Sequence, residues 1–300
     1  MRYIMSSATT SLIAASLLTA SSLHAEVPRV VTDIPPVHAL VAQVMGDLGA
    51  PVLLLDKGGN EHDLQLSPSQ VRALAGAGLV VWIGPELTPW LDRALTATST
   101  AERLGLLAVP GTTLRAFAPD EAGDQTASGT DPHAWLDPEN ARHWLAAIAG
   151  ALSRQDPANA ATYAANATGA RAGIAALDAE LRESLTPLAA LPFVTYHDAY
   201  GAFVDHYGLT WTGSLAEGDA TRSGAAQISA LAEQIAAGRA VCLFPEVQHD
   251  SGLIAQLAEA GNARLGATLD PVGVTLPPGP DTYAALMRGL ASALADCLRR

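Results

Sequence analysis

Short apolar runs alternate with amphipathic segments of helical period along the first half of the chain. The apolar runs predict four strands, which read EVPRVVTDI, APVLLLD, LVVWIG and GLLAVP. The segments between them predict three helices, PPVHALVAQVMGD, SPSQVRALAGAG and PELTPWLDRALTAT. Ser67 and Pro68 have the residue types of an N-cap and a first helical position. Strands that alternate with helices indicate a parallel sheet with helical crossovers.

The same alternation returns in the second half. Its apolar runs predict the strands PFVTYH, LTWTGSL, AVCLFPEV and ARLGATLD. The helices predicted there read DAYGAFVDHYG, ISALAEQIAAG, SGLIAQLAEAG and TYAALMRGLASALADCLRR. The second half therefore predicts another α/β unit of the same kind.

The segment between these halves predicts one long helix. It begins with Asp156 as N-cap and Pro157, and about 30 helical residues would span roughly 45 Å. We therefore predict an N-terminal α/β lobe over 26–155, a linking helix over 156–187 and a C-terminal α/β lobe over 188–300. The predicted fold class is α/β. It has two lobes with parallel sheets, one long rigid linking helix and a ligand cleft between the lobes.

The first 25 residues have the pattern of a secretory signal peptide. Arg2 precedes the short apolar run SLIAASLLTASSL, and Leu-His-Ala followed by Glu26 is a plausible cleavage site. The run is too short and too rich in Ser and Thr for a transmembrane helix. No Cys lies near the cleavage point, so we predict a periplasmic protein without a lipid anchor.

Charge and cysteine content narrow the function classes. With 17 basic and 30 acidic residues the formal net charge is −13, which disfavours nucleic acid and anionic lipid as partners. The acidity is compatible with cation binding, although solubility alone explains it. In an oxidising compartment the two cysteines, Cys242 and Cys297, favour a disulfide over free thiols, and a thiolate metal site is the alternative.

Three histidines and one aspartate stand in loops beside predicted regular elements. His62, His197 and Asp270 follow predicted strands, and His133 precedes a helix. Three imidazoles and one carboxylate form a complete tetrahedral ligand set for Zn²⁺, and nitrogen donors favour zinc over manganese. We therefore predict a metal site shared by the two lobes.

Weaker candidates surround this set. Glu61 is a candidate alternate ligand or a group behind the ligands, with a smaller expected effect, and His38 is a further candidate beside the cleft. Asp131, Asp137 and Asp198 are candidate acceptors for the second imidazole N–H, although Asp137 fits a helix cap better.

Other functions remain open from the residues alone. A manganese or iron importer component would share the fold with a more oxygen-rich site. A zinc hydrolase would need an open coordination position, and the sequence contains no HExxH motif. An adhesion role is a further alternative.

Four motifs together resemble the zinc-specific solute-binding proteins of bacterial ABC importers, the cluster A-I family. They read GGNEHDLQLSPSQ, DPHAWLDPENAR, YHDAYGAF and LDPVG, and the resemblance runs from about Val27 to the C-terminus. It implies two α/β lobes bridged by a rigid helix, with His62, His133, His197 and Asp270 as ligands of one transported Zn²⁺. It also implies the zinc-branch disulfide, no enzymatic activity, a monomer and an inner-membrane ABC permease as partner.

One departure from the family pattern concerns a loop. Many such zinc binders carry a long His-rich segment between the first two ligands, whereas this chain has the short acidic APDEAGDQTASGTD at 118–131. The chain is thus similar to loop-lacking members, some of which receive zinc from a periplasmic metallochaperone.

Overall fold

The computed structural model describes residues 27–55, 57–117, 129–216 and 224–299. The predicted signal peptide and most of the acidic segment lie outside these residues. Within the described ranges, no helix has both the length and the apolar content needed to cross a membrane.

The first half contains a four-stranded parallel sheet in the order β2-β1-β3-β4. Its strands are β1 (Val30–Thr32), β2 (Val52–Leu53), β3 (Leu79–Trp82) and β4 (Glu102–Gly105). The helices are α1 (Pro35–Met45), α2 (Pro68–Ala75), α3 (Pro89–Thr98) and α4 (Pro138–Gln155). A small antiparallel pair, β5 (Arg115–Ala116) with β6 (Thr130–Asp131), stands between α3 and α4.

Two helix starts form as the sequence predicts. The Ser67 hydroxyl accepts the Gln70 N–H while the Gln70 side chain accepts the Ser67 N–H, which closes a capping box at α2. Asp137 caps α4 by accepting the Glu139 N–H at 2.9 Å.

The prediction of a strand over GLLAVP is wrong in its position. Pairing with β3 runs from Glu102 to Gly105, and the chain turns soon after Leu107. Because β4 lies at the sheet edge it tolerates polar residues, so the apolar run marks buried residues at the end of the strand rather than the strand itself.

The second half contains a second four-stranded parallel sheet, in the order β10-β9-β7-β8. Its strands are β7 (Phe193–His197), β8 (Trp211–Ala216), β9 (Cys242–Phe244) and β10 (Arg264–Leu265). The helices are α6 (Gly201–Tyr207), α7 (Ala225–Ala236), α8 (Gly252–Ala260) and α9 (Thr282–Leu298). In both sheets the first strand is internal and the next two strands in the chain lie on either side of it. This topology creates a crevice at the carboxyl ends of the strands.

The long helix α5 (Ala160–Leu185) joins the two halves. Short 3-10 turns at 157–159 and 186–188 flank it, and it packs against α1, α4 and α9. Its buried side chains belong to one apolar core that includes residues of both sheets. The two halves are therefore held together by shared packing as well as by the helix.

Cys242 of β9 and Cys297 of α9 form the disulfide that the sequence favoured. The Cα atoms are 6.2 Å apart, and the bridge closes a loop across 55 positions of sequence. It fastens the C-terminal helix to a buried strand.

We expect the Cys242→Ala/Cys297→Ala variant to lose about 4 kcal/mol of unfolding free energy, because the open chain gains loop entropy when it unfolds. Urea unfolding followed by circular dichroism would measure this loss. Reductant should lower the stability of the wild-type protein and leave the variant unchanged. Equal stability of the two oxidised proteins would contradict the prediction.

Candidate metal centre

Three histidine rings meet between the two halves. His62 lies in the loop after β2, His133 follows β6, and His197 ends β7. Their ring centroids are 5.7 Å apart for His62 and His133, 6.2 Å for His62 and His197, and 5.3 Å for His133 and His197. One donor atom from each of these three residues, together with one from Glu61, lies within 4.8 Å of all the others. We call these four residues the inner cluster.

Glu61 supplies the carboxylate of this cluster. It is 1% exposed, and its Oε1 lies 3.4 Å from His62 Nε2. Two ligands of one tetrahedral zinc stand about 3.4 Å apart, as bond lengths near 2.1 Å require. The other oxygen, Oε2, accepts the Gln248 amide at 2.9 Å. Glu61 therefore presents one oxygen toward the imidazoles while the other is fixed.

Asp270 lies outside the inner cluster. Its Oδ1 accepts the N–H groups of Gly273 and Val274, and its Oδ2 accepts the N–H and hydroxyl of Thr275. Four hydrogen bonds use the acceptor sites of one carboxylate fully. In this conformation Asp270 anchors its own loop, and its role as a ligand remains a prediction.

His38 also stands apart from the cluster. Its Nε2 lies 3.2 Å from the Pro51 carbonyl oxygen, and burial lowers the pKa of the ring. This arrangement ties α1 to the start of β2.

His133 is oriented by Asp131, as the sequence suggested. Asp131 Oδ1 lies 2.8 Å from His133 Nδ1 and accepts the His133 backbone N–H at 3.0 Å. A hydrogen bond from Nδ1–H to the carboxylate fixes the tautomer that turns Nε2 toward a metal.

His197 is oriented by Glu246, which is not among the residues that the sequence predicts for the site. Glu246 Oε2 accepts His197 Nδ1–H, and Oε1 accepts the Tyr200 hydroxyl at 2.9 Å. Glu246 follows β9, which pairs directly with β7. A single acidic residue inside the predicted strand AVCLFPEV was the available signal, but the pairing of β9 with β7 is not visible in sequence.

Asp198, the predicted partner of His197, instead faces Arg115 at 3.9 Å. Burial, followed by the charge of Asp131, raises the pKa of Asp198 to about 6. Asp137 lies against His206 Nδ1 at 2.9 Å in addition to its capping role.

The ionisation states of the buried imidazoles and the carboxylate in the inner cluster suit the binding of a cation. Burial and then the neighbouring imidazoles lower the pKa of His62 to about 2, so this ring is neutral and ready to donate its lone pair. Burial by itself lowers the pKa of His197, but the charge and hydrogen bond of Glu246 outweigh it and the pKa is raised. Burial raises the pKa of Glu61. A divalent cation would reverse the penalty on the carboxylate.

The His197 Nε2 atom is a second indication that the inner cluster is a metal site. It is buried and has no hydrogen-bond partner among the described residues. A buried nitrogen of this kind costs free energy unless it is satisfied, and a metal ion would satisfy it.

Comparisons with known proteins point to proteins of zinc uptake. The family model described as "Zinc-uptake complex component A periplasmic" matches residues 30–297. The chain is similar to the high-affinity zinc uptake system protein ZnuA of Paracoccus denitrificans (strain Pd 1222), with 49% identity over 96% of this chain and 98% of that protein. It is also similar to the protein of the same name from Brucella suis biovar 1, with 33% identity over 93% and 94% of the two chains.

A solved structure of similar fold is a mutant of the laminin-binding adhesin Lmb from Streptococcus agalactiae. Its TM-score is 0.78 at 23% identity, over 90% of this chain and 99% of that one. At this identity the likeness concerns the fold. The family match covers nearly all described residues, and the chain therefore belongs to the family of periplasmic zinc-uptake complex component A proteins.

Proposed function

We propose that this protein binds one Zn²⁺ per chain in the periplasm and delivers it to an inner-membrane ABC permease. The observation that carries the proposal is the convergence of three imidazoles and one carboxylate between the two halves of the fold. The family consists of solute-binding transport proteins, so the metal is cargo and the protein is not an enzyme.

The proposed ligands are the Nε2 atoms of His62, His133 and His197, with Glu61 Oε1 as the fourth donor. The fixed Nδ1 partners of His133 and His197 support Nε2 as the donor atom. The occupied oxygens of Asp270 favour Glu61 in this conformation. Four protein ligands close a tetrahedral site and leave no position for the water that hydrolysis would need.

The donor set also favours zinc over manganese or iron. Three nitrogens and a single carboxylate suit Zn²⁺, whereas Mn²⁺ is held better by oxygen-rich sites. A manganese- or iron-binding component is therefore not favoured.

Release requires the donors to separate, because they come from both halves of the chain. Gln248, in the second half, donates to the Gly59 carbonyl at 2.6 Å and to Glu61, so it connects the two sides at the site. The shared apolar core around α5 resists separation of the halves as rigid bodies. Movement of the loop that carries Glu61 and His62 is the smaller change.

The remaining parts of the proposal concern processing and partners. We infer that residues 1–25 are a cleaved signal peptide, that no lipid anchor is attached and that the mature protein is a monomer. The short acidic segment in place of a His-rich loop supports loading by a periplasmic metallochaperone.

Zinc titration of the metal-free mature protein against a chromophoric chelator tests the function. We expect one tight zinc equivalent per chain and no displacement by an equal concentration of Mn²⁺, because the nitrogen donors select zinc. Weak zinc binding, or manganese competing at equal concentration, would contradict the proposed cargo. Size-exclusion chromatography of the same sample would report the oligomeric state.

A further inference from the structure

A second group of metal-binding side chains stands beside the inner cluster. Donor atoms of His197, Glu246 and His249 also lie within 4.8 Å of one another. His249 Nε2 is 3.7 Å from Glu246 Oε2, and its ring centroid is 5.7 Å from that of His197. This last separation falls within the range of 5.3 to 6.2 Å found among the three inner rings.

The spacing of His249 and Glu246 suits one shared cation. A metal bonded to an imidazole nitrogen and a carboxylate oxygen at about 2.0–2.2 Å each can join atoms up to about 4.2 Å apart. Their separation of 3.7 Å lies inside this limit. The two residues can therefore hold a cation together, with water completing its coordination.

The His249 ring is held in place by stacking. It lies parallel to the Tyr196 ring, with centroids 4.2 Å apart and planes 12° apart. Stacking of this kind orients the imidazole without using either nitrogen. Its Nε2 remains turned toward Glu246.

Exposure distinguishes His249 from its neighbours. Its side chain is 29% exposed, whereas those of Glu246 and His197 are 0% and 5% exposed. The preceding residue, Gln248, donates to Glu61 of the inner cluster, so this stretch of chain lies at the edge of that cluster. His249 is thus a solvent-accessible imidazole donor next to the buried imidazole of His197.

We propose that His249 and Glu246 form a capture site at the rim, which takes a divalent transition-metal cation from solvent and passes it to His197. The inference rests on the proposed zinc function and adds the path by which the cation reaches the inner cluster. Two protein ligands bind more weakly than four, so the rim site holds the cation briefly. Transfer then moves the ion over a distance similar to the width of the inner cluster.

A rim site on the route changes rates and leaves the final affinity unchanged. The same site serves capture and release, so its loss slows both steps by the same factor. An extra ligand of the inner cluster would behave differently, because its loss would speed release and weaken the final complex.

Stopped-flow mixing of metal-free protein with zinc tests this proposal. The Trp135 ring lies 5.1 Å from the His133 ring, so tryptophan emission reports filling of the inner cluster. We expect His249→Ala to lower the association rate constant about fivefold or more, with a matching decrease in the chelator-induced dissociation rate. His249→Gln, which keeps the size but donates poorly, should behave in the same way.

The matched control is His143→Ala. His143 is an exposed histidine on α4 that lies beside the Pro110 carbonyl and belongs to neither metal-binding group, so its removal should leave both rates unchanged. Wild-type association rates in the His249 variants would overturn the rim site. Faster dissociation with weaker affinity would also overturn it, by making His249 an inner ligand. Failure of the wild-type protein to bind zinc would instead refute the proposed function.

Discussion

His197→Ala is expected to weaken zinc binding by a factor of roughly 10² to 10³. Structural zinc sites contribute about 10–16 kcal/mol in total, so an equal share for one of four ligands is about 2.5–4 kcal/mol. The variant also removes the imidazole that donates to the buried Glu246 carboxylate, which lowers stability. Competition with a chromophoric chelator measures the affinity, and thermal unfolding of the metal-free protein measures the stability.

His133→Ala separates ligand loss from that structural effect. Its carboxylate partner, Asp131, keeps Arg115 at 3.4 Å, so less buried charge is left unpaired. We expect a similar loss of zinc affinity with a smaller loss of stability. His206→Ala is the matched control, because His206 pairs with Asp137 and Asp178 outside the inner cluster and should leave zinc affinity unchanged. An unchanged dissociation constant in either ligand variant would refute the site.

Glu61→Gln is expected mainly to lower zinc affinity, whereas Asp270→Asn is expected mainly to lower stability. Glu61→Gln keeps an oxygen for Gln248 but removes the only carboxylate of the inner cluster. We expect zinc affinity to fall by about 10- to 100-fold with little change in stability, since a charged donor becomes a neutral one. The same chelator competition and thermal unfolding measure both quantities.

Asp270→Asn should mainly affect stability. An amide has one oxygen where the carboxylate has two, so some of the N–H donors of the loop 273–275 lose their acceptor. We expect a loss of about 1–3 kcal/mol in unfolding free energy and less than about a threefold change in zinc affinity. A larger affinity loss than in Glu61→Gln would mean that Asp270 turns into the site when zinc binds. The ligand set expected from the sequence would then hold.

Whether Glu61 or Asp270 is the fourth ligand affects how zinc is released. Asp270 stands on a loop whose next residue, Pro271, accepts the Trp135 indole N–H at 2.9 Å, so that loop is tied to the first half of the fold. Glu61 is held through Gln248 and through its carbonyl, which accepts the Trp90 indole N–H at 2.9 Å. A ligand on the Glu61 loop can leave when the Gln248 contacts break, without disturbing the core around α5.

Local patterns in the sequence predict much of this protein. Alternating apolar and amphipathic segments indicated two α/β units, and their capping residues placed the starts of α2 and α4. A continuous Ala-rich helical stretch predicted α5. These features depend on neighbours a few residues apart, which is why the sequence displays them directly. The three histidines followed from their positions beside predicted strands and helices.

Other features were decided by the tertiary structure alone. Glu246 supports His197 from 49 positions away because β9 lies beside β7, and no local pattern encodes that strand order. Glu61 rather than Asp270 joins the inner cluster because one carboxylate keeps an oxygen directed at the imidazoles while the other is filled by loop N–H groups. The sequence by itself thus determined most of the elements and the three histidines that meet in the inner cluster. The packing of strands and loops decided which carboxylates reach the imidazoles, because that choice depends on contacts between distant segments.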